Sequence, residues 1–419
     1  MGQNWPNNNT NFMQLGDVEE NIITISGNSN LQEEFFNYAL KFKDSSYLIT
    51  DNILEVSDIS KLDNYFFALA YLYRHSLELI LKAIGFKYIT ALEDRKLFVK
   101  ETFHNLSRIL EFISPHIESC IEKNKDAYDW LVLIFEDMNQ IDKESDSFRY
   151  PFGISVKKGD AFLDTPKQFI INIFIEKQTH IDLVAFANKM EIAFDILKSY
   201  YSDDTKITTD YLDFKPLLLE EGGSYYGQSV LGYSYSRNKF YSYVKAYTES
   251  ADFFYEKICS NNHLKETLFI PMCYLYRNGI ELAMKEILFE ECSYDLQKAI
   301  QLLKSNKHNL SKLWKAIKVD VIKHANASED DSTIINVEKY IKQLHEIDSS
   351  SDKFRYPTNK HLCLHFKRKT KLDIKNVAMF FKDISSFLSG VCMMMSAQNE
   401  WKAEMQAEYA SYYDPLDYS

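Results

Sequence analysis

Arg74 and Glu78 stand four residues apart with Lys82 four further on, and Arg277 and Glu281 repeat the first pair. Such spacing sets charges along one face of a helix. Their neighbours are Phe, Leu, Ile, Tyr and Ala, so the face is a polar seam in a mostly buried element, where each charge needs a partner. The residues able to supply partners also occur twice. His104-Asn105-Leu106 recurs as His308-Asn309-Leu310, and Ser145-Asp146-x-Phe148-Arg149-Tyr150-Pro151 recurs as Ser351-Asp352-x-Phe354-Arg355-Tyr356-Pro357. Arginine's planar fork grips two phosphate oxygens at once, and a histidine titrating near neutrality can move a proton. Two readings follow. Arg74, Glu78, His104 and Arg149, with Arg277, Glu281, His308 and Arg355, converge on a phosphate or an RNA backbone; or the same residues form a network that holds helices in register. Pro151 disfavours helical geometry at Tyr150, which turns the chain there and fixes Arg149.

These clusters belong to a longer repeat. Phe66–Phe86 and Phe269–Phe289 match at 10 of 21 aligned positions, and the offset between copies grows only from 203 to 204 to 206 residues along the chain. Self-similarity at that period predicts a duplicated domain rather than a short-repeat solenoid. The 419 residues suffice for two domains, each with its own core. Only 12 Gly and 8 Pro limit tight β-turns and favour long helices.

The apolar spacing predicts helices over 32–47, around Arg74, from near Asn105, over 127–141 and over 181–197 in the first copy. In the second it predicts helices over 239–259, around Arg277, and over 310–317, 334–347 and 372–388. Ser60 with Asp63 three residues on reads as a capping-box start for the Arg74 helix. Phe169–Ile175 (FIINIFI) and His361–Phe366 read as short strands. The expected fold is therefore mainly all-α: two tandem helical bundles related by pseudo-twofold symmetry, each with a small β insertion. Residues 1–30 form a polar, loosely docked N-terminal segment, 31–200 the first bundle, 201–235 a linker rich in Tyr, Ser and Gly, 236–398 the second bundle, and 399–419 a tail.

A long helix bearing Tyr-Leu-Tyr-Arg-His-Ser-Leu-Glu-Leu, a His-Asn-Leu helix start and a closing helix together resemble the bacterial HEPN-like proteins. HEPN abbreviates higher eukaryotes and prokaryotes nucleotide-binding, a helical-bundle superfamily with many members in prokaryotic defence and toxin–antitoxin loci. The resemblance spans roughly 35–200 and 240–390. It implies engagement of RNA or nucleotide phosphates, metal-independent ribonuclease chemistry in phage defence, and a protein partner such as an antitoxin. Active members carry Arg, four to six residues, then His; Arg355 and His361 have that spacing, while Ser155 stands where the first copy would need His. Whether either copy is an enzyme is left open, and a non-catalytic interaction scaffold is the competing expectation.

The remaining features narrow the field. A net charge of −12 argues against a generally basic, duplex-coating surface. The one clear basic cluster runs from Lys360 to Lys375, where Lys367, Arg368 and Lys369 are candidate phosphate contacts. Tyr225, Tyr226, Tyr233 and Tyr235 have the chemistry to stack bases, or to pack as linker. Six scattered cysteines and ten histidines show no metal-ligand spacing, so no metal or cofactor is expected. Phosphate-loop, dinucleotide-turn and Ser-His-Asp signatures are missing. The N-terminus does not read as a secretory signal, and charges interrupt the Arg74 helix, so the expected setting is cytoplasmic, with no membrane partner; the two copies form an intramolecular pseudo-dimer, and the oligomeric state is left open.

Overall fold

A computed structural model describes residues 5–56, 59–157, 167–175, 180–202, 209–224, 229–230 and 239–413. It is mostly helical. The first half contains α1 (Leu31–Val56), α2 (Ile59–Tyr88), α3 (Leu92–Thr102), α4 (Leu106–Ile113), α5 (Glu118–Lys123), α6 (Lys125–Asp142) and α7 (Leu183–Ser202). The second contains α8 (Lys239–Ser260), α9 (Lys265–Glu286), α10 (Leu296–Asn306), α11 (Leu310–Ala325), α12 (Ser332–Ile347) and α13 (Ile374–Tyr413). Among the described residues three two-stranded antiparallel ribbons accompany these helices. They pair β1 (Ile22–Ile25) with β6 (Thr370–Asp373), β2 (Phe152–Lys157) with β3 (Gln168–Ile173), and β4 (Ile181–Asp182) with β5 (Ser229–Val230).

The centre of the molecule is α2 and α9. Every described residue of α9 from Leu268 to Glu286 is buried, and α2 is buried from Tyr65 through Phe86. α2 packs on α1, α7 and α8, and α9 packs on α8, α13 and α1, so each central helix touches elements of both halves. One continuous hydrophobic cluster results, running from Phe12 to Met395. Two separate cores were the expectation from chain length; a single interior instead serves both halves.

Several expected elements form as read. α4 and α11 each begin after an Asn whose side chain accepts the backbone N–H three residues on, Asn105 from Arg108 and Asn309 from Lys312. That cap accounts for the repeated His-Asn-Leu, with the histidine one residue outside the helix. β3 covers most of the expected 169–175 strand. α2 begins at Ile59, so Ser60 lies inside it rather than before it.

Other expectations are corrected. Residues 361–366 form no strand: Leu362 takes a positive φ of 58°, and Asn359 Oδ1 accepts from His361 N and Cys363 N, closing a compact loop. Among the described residues no separate tail follows Gly390; α13 runs unbroken from Ile374 to Tyr413, 40 residues in all, because Met, Ala, Glu and Gln there favour helix. By length and composition α13 has a stretch apolar enough to cross a membrane, and half of that window is buried in this fold. The 201–235 junction packs where it is described, with Leu218 buried and its N–H donated to Asp137. Tyr225, Tyr226, Tyr233 and Tyr235 lie outside the described residues.

The N-terminal segment is docked rather than loose. Phe12 is 1% exposed and meets Phe380 and Phe381 edge-on at 5.5 and 5.6 Å, and β1 completes a ribbon with β6. Phe12→Ala should therefore cost about 3–5 kcal/mol, the range for emptying a buried aromatic site. Urea unfolding checks this; an unmoved midpoint would show that the segment is no part of the core.

Candidate functional site

Glu78 is fully buried in the middle of α2, and four groups donate to it. Arg74 Nη1 donates to Oε2 at 2.5 Å, while Lys82 Nζ at 2.7 Å, His104 Nδ1 at 2.9 Å and the Tyr356 hydroxyl at 2.7 Å converge on Oε1. Arg74 also binds the His104 carbonyl through Nη2 and lies 3.1 Å from Asp142 through Nε. α2 thus supplies two partners at helical spacing, the turn before α4 supplies the third, and the loop after α12 supplies the fourth.

The same set recurs around Glu281. Arg277 Nη1 donates to Oε2 at 3.1 Å, and Lys285 at 2.8 Å, His308 Nδ1 at 3.0 Å and the Tyr150 hydroxyl at 2.8 Å reach Oε1. Arg277 Nη2 donates to the His308 carbonyl at 2.7 Å. The backbone repeats too: positive φ occurs at Phe103 and Lys307 before the two histidines, and at Ser145 and Ser351 before the two Phe-Arg-Tyr-Pro segments. Sequence spacing had placed Arg149 with Arg74 of its own half. That pairing is corrected, because the two segments are exchanged: Arg149-Tyr150 serves the Glu281 centre, and Arg355-Tyr356 serves the Glu78 centre.

Between the centres lie Tyr71 and Tyr274, stacked at 4.8 Å. The Arg149 and Arg355 guanidinium carbons lie 5.9 and 5.8 Å from the Tyr71 ring, and Arg355 Nε donates to the Tyr71 hydroxyl at 2.8 Å. Arg149 has Asp146 at 3.6 Å, a side chain 45% exposed. The halves differ beside this stack. His75 Nε2 contacts the Arg355 carbonyl at 2.9 Å, whereas Asn278, which aligns with it, makes no side-chain hydrogen bond among the described residues.

Burial works to raise the Glu78 pKa, but Lys82, His104 and Arg74 outweigh it and hold the carboxyl well below its usual range. Glu281 is depressed in the same way by Lys285, His308 and Arg277. Asp142 goes the other way, pushed up to about 6 by burial against the pull of Arg74. An ionised Glu78 can only accept, so the proton of neutral His104 sits on Nδ1 and the lone pair on Nε2. Burial lowers the His104 pKa, opposed by Glu78. For His308 the Glu281 charge pulls upward, but burial with Arg149 and Lys285 leaves it below the ordinary histidine value.

His104 is the part of the Glu78 centre that reaches outward, with a third of its side chain exposed. It lines a cavity of about 450 Å³ shared by the two halves. Phe35, Val99 and Phe103 form its first-half wall, Leu362 faces them, and Lys82, Lys96, Lys100 and Lys360 surround it; Asp352 is the one carboxylate among the lining residues. His361 also lines it, while Arg355 is buried at the Tyr71 stack, so the two do not form a common surface. Arg74, Glu78, Arg149, Arg277 and Glu281 are sealed at 0–3% exposure. Lys367, Arg368 and Lys369 are exposed ahead of β6, outside the cavity lining. Among the described residues no His, Cys, Asp and Glu group is placed to hold a metal ion.

Sequence reasoning missed Tyr150, Tyr356 and the lysines of α3. The tyrosines were visible as part of the repeat, but a Tyr beside an Arg at a turn carries no sign of which half it will enter. Comparison with protein families, curated proteins and solved structures finds no match for this chain. Fold and site define it as a helical protein with two buried carboxylate centres, each completed by a tyrosine from the other half. One centre carries a histidine to a lysine-ringed cavity.

Glu78→Gln and Glu281→Gln should each cost about 3–5 kcal/mol, since each leaves buried cations without their carboxylate. Because both carboxyls are depressed in the fold, their stabilisation is present above the ordinary glutamate pKa of 4.5 and is lost as pH falls below it. Asp142 has the opposite sign, its proton being favoured in the fold up to about pH 6. Thermal melts between pH 3 and 7 test this; a Glu78→Gln protein with the parent's acid limb would remove Glu78 as its source.

Proposed function

We propose that the chain is a tandem duplication of one HEPN-like bundle, its halves related by an approximate twofold axis, and that it engages RNA or nucleotide phosphates at the His104 cavity. The observation that carries this reading is the histidine whose Nδ1 is fixed by a buried carboxylate, whose Nε2 has no partner among the described residues, and which lines a cavity together with four lysines. A carboxylate–imidazole pair of this kind fixes the tautomer and orients a general base. Lysines supply charge for a phosphate without demanding bidentate geometry. The recurrent contacts around Glu281 support the duplication.

The chemistry such a site supports is metal-independent cleavage at a 2′-hydroxyl. His104 Nε2 takes the hydroxyl proton, the 2′-oxygen bonds to phosphorus, the P–O5′ bond breaks, and the departing oxygen receives a proton from the imidazolium or from His361. Lys82 and Lys360 offset charge at the phosphate. A bacterial cytoplasmic setting in phage defence or a toxin–antitoxin pair, with a protein antitoxin as partner, belongs to this proposal. The competing reading is a non-catalytic interaction scaffold, favoured by one observation: the arginine–carboxylate pairs are sealed within each half, and the Tyr356–Glu78 and Tyr150–Glu281 hydrogen bonds tie the halves together.

His104→Ala should lower cleavage of a labelled RNA oligomer in EDTA by about 10²–10⁴-fold, the usual worth of a general base. Its stability cost should be about 1.5–3 kcal/mol, the worth of one hydrogen bond to a charged group. With its pKa lowered, His104 remains unprotonated down to below 6.5, so the acid limb of the rate profile should lie below that pH. Full RNA cleavage by His104→Ala, or none by the parent protein, would leave the scaffold as the better account.

A further inference from the structure

The two halves treat one aromatic position differently. In the second half Phe240 and Phe289 lie 6.0 Å apart and Phe152 packs between them, at 5.4 and 5.2 Å. Phe240 of α8 aligns with Phe35 of α1, and Phe289 with Phe86. In the first half Phe35 and Phe86 meet at 4.9 Å, but the residue aligned with Phe152 is Thr358, immediately after the repeated Phe-Arg-Tyr-Pro. The chain then diverges. After Pro151 it enters the β2–β3 hairpin, which docks on α10 by mutual hydrogen bonds between the Phe169 backbone and Gln297. After Pro357 it makes a short loop bridged from Thr358 to Leu364. Thr358 and Phe35 both line the 450 Å³ cavity.

The second half therefore displays what the first half lacks, a ring seated on the α8 phenylalanine; the neighbouring tyrosine under a lysine ammonium is common to both, with Lys285 at 4.1 Å over Tyr150 and Lys82 at 5.0 Å over Tyr356. We propose that the first-half cavity is a slot for one aromatic-ringed anion per chain. The ring takes the place against Phe35 that Phe152 takes against Phe240, and the negative charge faces Lys82, Lys96, Lys100 and Lys360. Thr358 is the residue that keeps the slot open, and Phe152 is the built-in occupant of its counterpart. A volume of 450 Å³ falls within the range of pockets that enclose a single small molecule. This deepens the phosphate reading of the cavity and rests on that cavity being the ligand site.

The test uses full-length protein and 8-anilinonaphthalene-1-sulfonate, an aromatic-bodied anion, followed by fluorescence titration. One probe per chain is expected. Thr358→Phe should weaken binding at least tenfold, and Phe152→Ala should raise the count to two. No binding, two probes on the parent chain, or a folded Thr358→Phe protein that binds as the parent does would overturn the proposal. Should Thr358→Phe fail to fold, the count on Phe152→Ala decides, with one probe overturning the slot and two supporting it. Adenosine monophosphate and a short RNA are then added as competitors. If neither displaces a probe bound one per chain, the phosphate reading of the site fails while the aromatic slot stands; displacement by either supports both.

Discussion

A carboxylate sealed inside a helical core is tolerable only when donors surround it, and that requirement organises this molecule. Glu78 and Glu281 each sit mid-helix with no exposure, and neither can be satisfied by its own helix alone. Arg and Lys one turn either way supply two partners, and the histidine before the next helix supplies the third. The fourth, a tyrosine hydroxyl, comes from the other half of the chain. Each centre is thus incomplete until both halves are folded and apposed, which agrees with a hydrophobic cluster running through both without a break.

The exchange of segments also decides where the surface opens. Each Phe-Arg-Tyr-Pro segment delivers its tyrosine and must then leave the neighbouring half's wall by some route. One leaves through a hairpin that lays Phe152 into the space beside Phe240; the other leaves through a short loop with Thr358. The architectural role of the buried network and the functional role of the cavity are therefore compatible. The sealed arginines and glutamates hold the frame, and His104 carries its electrostatics to the outside. The proposed chemistry depends on that division, since a group at zero exposure cannot touch a substrate while an imidazole anchored to it can.

Much of the fold was legible along the chain because helices are written locally, in apolar spacing and caps. Asn105 and Asn309 marked two helix starts, and the repeated Tyr-Leu-Tyr-Arg segment marked the two central helices. Short apolar runs were less certain, as residues 361–366 show: their alternation suits a strand, but Leu362 and the Asn359 side chain close them into a loop. The docked N-terminus was hidden for a related reason, since one Phe12 among asparagines gives no periodicity to read.

The sequence alone determined that one polar set, Arg, Glu, His, Asp and Arg, occurs twice at nearly constant offset and must be paired inside a helical body. It determined the pairing within a turn of helix, because i,i+4 geometry is independent of the rest of the fold. Only the tertiary structure decided that Tyr150 and Tyr356 cross to the opposite centre, that a single core serves both halves, and that Thr358 leaves open the space Phe152 fills. Those outcomes rest on contacts between residues far apart along the chain, and a hydrogen bond or a packed ring across such a distance leaves no mark in local spacing.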